Sequence, residues 1–241
     1  MRLSRVHPQP AETIELDDAG ARDRLLELYR PPSASWLRLN LVTSISGSAV
    51  GSDGTSETLT NATDRTILGV IRELSDVVLV GAESVRAEGY RVPRRAMLAI
   101  VTSSGELGGH RIDPEDLSRV IVLGPAAALE TARRWLGEAR MLELPAAHGR
   151  VAAGDLVAAL RTAGHRSIVC EGGPGLAGQL LGAGLVDELC LSTSALLTPT
   201  TVAPFGTEPF PERALNLQQL LIDDAGALYA RWGITAEPAS H

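Results

Sequence analysis

The residues best suited to chemistry in this 241-residue chain stand together at Glu171 and the glycine-rich turn after it, Gly172-Gly173-Pro174-Gly175-Leu176-Ala177-Gly178. They follow the apolar run Ser167–Cys170, which reads as a strand, and lead directly into a helix pattern at Leu176–Leu181. A strand that ends in glycines and opens into a helix leaves backbone N–H groups unpaired above the turn, and those groups favour a phosphate. A carboxylate at the end of a buried strand is rarely left alone, so Glu171 asks for a ligand or an arginine.

Gly173-Pro-Gly175-Leu-Ala-Gly178 also fits the G-x-G-x-x-G spacing of dinucleotide-binding turns, a weak signal by itself. Its position argues against a Rossmann domain. That fingerprint belongs to the first βα unit, whereas this turn follows most of the chain, and the acidic pair Asp187-Glu188 opens the next strand instead of meeting a ribose. The local expectation, a pyrophosphate at a helix N-terminus, does not depend on that topology.

The elements that must position the turn can be read in order. Residues 1–35 are mixed and form an N-terminal extension, with a short amphipathic piece at Ala21–Tyr29 and a double proline at Pro31-Pro32 that stops any helix. Trp36–Thr43 is the first strand, in which Arg38 and Asn40 are polar exceptions needing partners. Ser44–Thr60, rich in Gly, Ser and Thr, reads as a ligand-binding loop with a short strand at Ser48–Val50. Asn61–Leu74 has helical spacing with Thr60 or Asn61 as N-cap. Asp76–Gly81 is a buried strand making a second strand-to-glycine-to-helix junction. Strands follow at Met97–Thr102, Arg119–Leu123 and Met141–Leu144, with helices at Pro125–Gly137 and Gly154–Ala163. Beyond the turn come a strand at Asp187–Ser194, a proline-rich loop at Ala195–Ala214, and the pair Leu215–Asp223 and Ala227–Thr235 around Asp224-Ala-Gly226, a hairpin signature. Alternating strands and helices followed by a strand-only tail predict an α/β domain over residues 36–241: a mostly parallel sheet flanked by helices, with a C-terminal antiparallel hairpin.

A net charge of −7, with no basic patch, argues against a nucleic-acid partner. Cys170 and Cys190 lie in apolar runs and read as small buried hydrophobes in a reducing compartment. No apolar run approaches the ~20 residues that span a bilayer and MRLSRVHPQP lacks an apolar leader core, so a cytoplasmic protein with no membrane partner is expected. His7, His110, His148, His165 and His241 are scattered without ligand spacing; no metal site and no Ser-His-Asp constellation is expected.

Val78-Leu-Val-Gly81-Ala-Glu-Ser84-Val-Arg-Ala-Glu88-Gly89, taken with Glu171-Gly-Gly-Pro174 and Ser44-Ile-Ser46-Gly47, resembles the reductase domain of riboflavin biosynthesis, the dihydrofolate-reductase-like pyrimidine reductases of the RibD type. The resemblance runs from about Trp36 to near the C-terminus and is nearest in layout to the stand-alone actinobacterial pyrimidine-reductase-like proteins. It implies a dihydrofolate-reductase-like fold, a homodimer, and NADPH-dependent reduction of the ribosyl group of a 5-amino-6-(5-phosphoribosylamino)pyrimidine to ribityl. On this resemblance the cofactor would be held by Thr43, Thr58, Gly81, Ser84, Glu88 and Ser103, with its pyrophosphate on the segment Gly172, Gly173, Pro174, Gly175, Leu176, Ala177, Gly178 and Gln179. The phosphorylated substrate would meet Ser56, Arg72 and Glu171, with Arg94 or Arg95 as a further phosphate partner; Asn40 and Glu171 are the expected catalytic residues. Hydride donation to an imine or opened ribose carbon calls for alignment more than for a strong acid or base.

Two departures stand out. Ser46 replaces the aspartate of the family's SLDG, and Asn40 stands where the bifunctional bacterial enzymes carry lysine, as in archaeal and fungal stand-alone reductases. They leave open an NADPH-dependent reductase of dihydrofolate or a pterin, and a non-catalytic nucleotide-binding relative.

Overall fold

A computed structural model describes residues 1–199 and 201–235. Thr200, within the loop expected at Ala195–Ala214, and His241 lie outside the described residues.

The chain begins with strands β1 (Arg2–His7) and β2 (Glu12–Glu15), helix α1 (Ala21–Tyr29) and strand β3 (Trp36–Ser44). Helix α2 (Ala62–Glu73), strand β4 (Val77–Gly81), helix α3 (Ala82–Glu88), and strands β5 (Met97–Val101) and β6 (Val120–Gly124) follow. Then come α4 (Ala126–Ala132), β7 (Arg140–Glu143), the two-residue strands β8 (Ala146–Ala147) and β9 (Arg150–Val151), and α5 (Ala153–Thr162). Strand β10 (Ser167–Gly172), helix α6 (Pro174–Gly182) and strands β11 (Glu188–Ser194), β12 (Leu215–Asp223) and β13 (Leu228–Ile234) complete it.

Among the described residues the main sheet has eleven strands in the order β2-β1-β12-β13-β11-β3-β10-β4-β5-β6-β7. From β11 to β7 every pairing is parallel; from β11 outward through β13, β12, β1 and β2 every pairing is antiparallel. The apolar runs explain the parallel half. Along β4, Val78 and Val80 pack into one core with Ile67 and Ile71 of α2, while Val77 and Leu79 pack into another with Leu156 and Leu160 of α5. A strand covered on both faces has no polar side to show, which is why these segments read as unbroken apolar stretches.

The expected mostly parallel α/β sheet with its C-terminal hairpin is present. The first 35 residues, read as an extension, place β1 and β2 on the hairpin side of this same sheet. Ser48–Val50 is not a strand: the Ser48 hydroxyl bonds Val50 O at 2.9 Å and Ser44 N–H donates to Ser48 O at 2.9 Å, folding the segment into a tight loop. The helix expected through Gly137 stops at Ala132.

Arg38, a polar exception in a core strand, finds its partner across the sheet. Its Nη2 lies 2.8 Å from Oε2 of Glu188, which is fully buried and also accepts from Trp36 Nε1 at 2.8 Å and from Arg231 Nε at 2.5 Å. Burial pushes the Glu188 carboxyl upward, but the Arg38 and Arg231 charges outweigh that and hold it below its usual range. Cys170 and Cys190 are both free and buried, and burial pushes each thiol up to about 12.

Candidate active site

Strands β3, β10 and β4 are parallel, so they end on the same edge of the sheet, where open α/β sheets bind ligands. There a cavity of 480 Å³ opens between β3, α2, the start of α6 and the loop after α3. Glu171 reaches it because β10 shifts register against β4 between Cys170 and Gly172. The irregularity interrupts the in-and-out alternation and re-aims a side chain, as bulges beside sites do.

Arg72, in the last turn of α2, donates to both Glu171 oxygens, Nε to Oε1 at 2.7 Å and Nη2 to Oε2 at 2.6 Å. Tyr90 donates its hydroxyl to Glu171 Oε2 at 2.9 Å, and the Arg72 guanidinium lies 5.6 Å from the Tyr90 ring centroid. Tyr90 arrives there because Gly89 closes α3 in the left-handed region, φ 63°, turning the chain back. Burial works against the Arg72 charge, yet the adjacent Glu171 carboxylate outweighs it and holds the guanidinium above its ordinary range. Burial, reinforced by Glu171, pushes the Tyr90 phenol far up, so it remains a donor.

The start of α2 is set from the far side of the sheet. Asn61 caps it by accepting from Asp64 N–H at 2.8 Å, and is itself held by Asp223 and by the Tyr229 hydroxyl of the β12–β13 hairpin. This places Asp64, almost wholly buried, on the cavity wall with Asn40. Burial pushes the Asp64 carboxyl above its ordinary range, with the Ser192 hydroxyl and Arg65 charge only partly opposing.

Beside the first cavity lies a second, of 330 Å³, and Ser84, Gly173 and Pro174 line both. Gly173 is the N-cap of α6 at φ 66°, ψ 140°, and no side chain caps that helix. Its positive φ favours glycine. A Cβ on Gly172 would sit 3.2 Å from Ser84 Oγ, so the turn and α3 meet closely.

The residues expected to act together divide as follows. Asn40, Ser56, Arg72, Ser84, Glu88, Glu171, Gly172, Gly173 and Pro174 line the first cavity, with Ser56 Oγ donating to Glu88 Oε1 at 3.1 Å. Gly81, Ser103, Gly175, Leu176 and Gln179 line the second. Thr43, Thr58, Ala177 and Gly178 line neither. Thr43 is buried, Thr58 donates to Asp53 Oδ1 at 3.0 Å on the outer loop, Ala177 packs into the core, and Gly178 is buried. Gly178 is pressed against the loop after β11, where a Cβ would meet the Phe205 carbonyl at 2.3 Å. Arg94 and Arg95 line a neighbouring groove, where Arg95 pairs with Glu73 at 3.0 Å. Ser46 ties its loop to Thr198, accepting from Thr198 N at 3.0 Å, and is absent from the walls of both cavities.

Tyr90, Asp64, Arg65 and Arg91, which are not among the residues expected from sequence, also line the first cavity. Tyr90 and Arg91 directly follow the Glu88-Gly89 motif, and Asp64 stands three residues after the cap; those positions were the signals available.

The sequence profile of the RibD C-terminal domain matches residues 35–228, most of the chain. The chain belongs to this family. Among curated proteins none matches it in sequence. The fold is similar to a pyrimidine reductase-like protein from Corynebacterium diphtheriae (TM-score 0.75, 23% identity, 89% of this chain and 98% of that one). It is also similar to the riboflavin biosynthesis reductase Rib7 of Saccharomyces cerevisiae (TM-score 0.64, 18% identity, 88% and 98%). Against RibD of Acinetobacter baumannii the TM-score is 0.66 at 19% identity; 84% of this chain matches 59% of that one. Among the described residues no helix is long and apolar enough to cross a membrane, and no group of three or more His, Cys, Asp or Glu could hold a metal.

Proposed function

We propose that this member of the family is an NADPH-dependent pyrimidine reductase of the riboflavin-biosynthesis type, reducing the ribosyl group of a 5-amino-6-(5-phosphoribosylamino)pyrimidine to ribityl. The observation that carries the reading is the continuity of the two cavities through Ser84, Gly173 and Pro174, with the Arg72–Glu171–Tyr90 cluster on one side of that junction.

The residues present fit the cofactor. The α6 N-terminus has no side-chain cap and sits behind glycines, which suits a pyrophosphate. Ser84, Gly173, Pro174 and Gly175 would hold it, with Gly81, Ser103 and Gln179 toward the second cavity. When bound, the cofactor supplies the hydride.

The chain's own residues bind, orient and hold a proton. Arg72 fixes both oxygens of Glu171, so a substrate amino or amide group meets a carboxylate of set direction. Arg65 and Arg91 add positive charge on the same wall for a phosphorylated ligand. Ser56 and Asn40 offer neutral polar contacts. Reduction of an opened ribosylamine consumes a proton as well as a hydride, and Asp64, whose burial keeps its proton to a higher pH than an ordinary aspartate, is the reservoir on this wall. The protein works as a homodimer in the cytoplasm.

The deciding experiment compares NADPH oxidation with the phosphoribosylamino pyrimidine and with dihydrofolate, alongside calorimetric titration of NADPH. Oxidation with the pyrimidine alone is the expected result. At a free NADPH concentration of ~100 Kd the cofactor should stabilise the fold by about 2.7 kcal/mol. Tight NADPH binding without turnover of any pyrimidine would make the chain a nucleotide-binding relative without this activity.

A further inference from the structure

Charge is divided unequally between the two cavities. The first carries Glu57, Asp64, Glu88 and Glu171 against Arg65, Arg72 and Arg91. The second carries Arg86 and Arg150 against Glu83 alone. A dinucleotide with its pyrophosphate at the Gly173 turn and its reactive ring in the first cavity has its adenosine half on the side of the second. Without a further phosphate that half brings no charge of its own, and a pair of guanidiniums there has nothing in the ligand to meet.

The two arginines are held differently, and both arrangements suit an incoming anion. Arg86, on α3, donates through Nη1 to the carbonyl of Glu106 at 2.6 Å. That bond tethers one end of an exposed guanidinium and leaves most of its donors unused. Arg150 lies on β9, where pairing with Ala147 of β8 holds the backbone. Its side chain makes a 3.4 Å contact with Glu208, both partners more than half exposed. Exposed pairs of this kind contribute little, so exchanging Glu208 for a phosphate forfeits little. Beyond Arg150 the surface continues as a groove lined by Pro145, Ala146 and Ala147, apolar enough for a base.

We infer that Arg86 and Arg150 receive the 2′-phosphate of an adenosine 2′-phosphate-bearing dinucleotide, and that they are the residues by which this chain prefers NADPH to NADH. An arginine beside the adenine ribose is a general physical solution for that phosphate. The inference rests on the NADPH reading above and adds to it the residues that discriminate.

Titration of the full-length protein by calorimetry or by quenching of Trp fluorescence tests it, with NADPH, NADH, adenosine 2′,5′-bisphosphate and 5′-AMP as ligands. Wild type should bind NADPH over NADH, and the bisphosphate over 5′-AMP, each by tenfold or more. Arg150→Ala and Arg86→Ala should each cut both preferences by about tenfold while leaving NADH affinity unchanged, which also shows that each variant is folded. Glu208→Ala should leave both NADPH and NADH affinity within about twofold of wild type, because the exposed contact it removes contributes little. Wild type that prefers NADPH, with the same preference in the double variant, overturns this inference and leaves the reductase reading standing. Wild type that binds neither dinucleotide overturns both.

Discussion

Arg72 and Glu171, 99 positions apart in sequence, meet in a two-point ion pair of 2.6 and 2.7 Å, with the Glu171 side chain 3% exposed and that of Arg72 26% exposed. Each residue is a candidate substrate contact, and each is also the other's partner. Binding and stability are therefore tied together at this point.

Arg72→Ala should leave a buried carboxylate with only the Tyr90 hydroxyl to satisfy it. Removing one member of a buried pair costs about 3–5 kcal/mol, and the partial exposure of Arg72 puts this case at the low end, about 3 kcal/mol by urea unfolding. Calorimetry should show near-normal NADPH affinity with the substrate KM strongly raised. Equal losses of cofactor and substrate binding would contradict the assignment of Arg72 to the substrate. Arg72→Lys, which keeps the charge but loses the fork, should recover part of the stability and little of the KM.

Glycines two residues apart in the turn should respond with opposite signs. Gly173→Ala forces a Cβ into φ 66°, ψ 140° and should destabilise by about 1–3 kcal/mol, with NADPH affinity falling as the turn re-aims its amides. Gly175 lies inside α6 with nothing within 4 Å of a Cβ, so Gly175→Ala should raise stability by about 0.5–1 kcal/mol. Parallel unfolding curves decide; a stabilised Gly173→Ala protein would refute the strained-turn argument.

Glu188→Gln leaves Arg38 and Arg231 buried beside a neutral amide and should cost about 3–5 kcal/mol at neutral pH. For a domain of this size that is a fall in Tm of about 6–20 °C. The folded carboxyl sits below its ordinary value, so its contribution is complete above the usual glutamate range of about 4.3 and is lost as pH falls through the folded value. The gap between wild type and variant should narrow in acid, and a gap constant with pH would show that Glu188 is not held ionised by the two arginines.

Asp64 has the opposite sign. Its folded value is raised, so the native state favours the protonated form, and stability from this group is lost as pH rises from the ordinary aspartate range through the folded value. Asp64→Asn should thus be more stable than wild type at neutral pH, with the advantage vanishing at low pH. The same variant should lose kcat. A gain in stability with full turnover would remove Asp64 from its assigned role.

Much of the parallel half of the fold was legible, because strands buried on both faces leave unbroken apolar runs such as Val77–Gly81. The N-terminal strands were not. RLSRVH and ETIE alternate polar and apolar residues too briefly to separate from loop; they pair with each other, and β1 joins the main sheet only through β12, more than 200 positions away. Glu171 could be found because a charge at the end of a buried strand is conspicuous. Tyr90 carries only the weaker signal of following the Glu88-Gly89 motif, and Arg150, in a two-residue strand, carries none; the three-dimensional arrangement brings them to the cavities. The sequence shows that Arg38 needs a partner, but only the adjacency of β3 and β11 identifies it as Glu188.

The G-x-G-x-x-G spacing acquires a mechanical sense at its last member. Gly178 leaves room for the Phe205 carbonyl to rest on α6, and the adjoining Pro204 forms part of the first cavity's wall. Any side chain at 178 would force the 204–205 segment or the helix to shift, and with it that part of the cavity wall. The position of that stretch of wall thus depends on the absence of a methyl group at a residue that lines neither cavity.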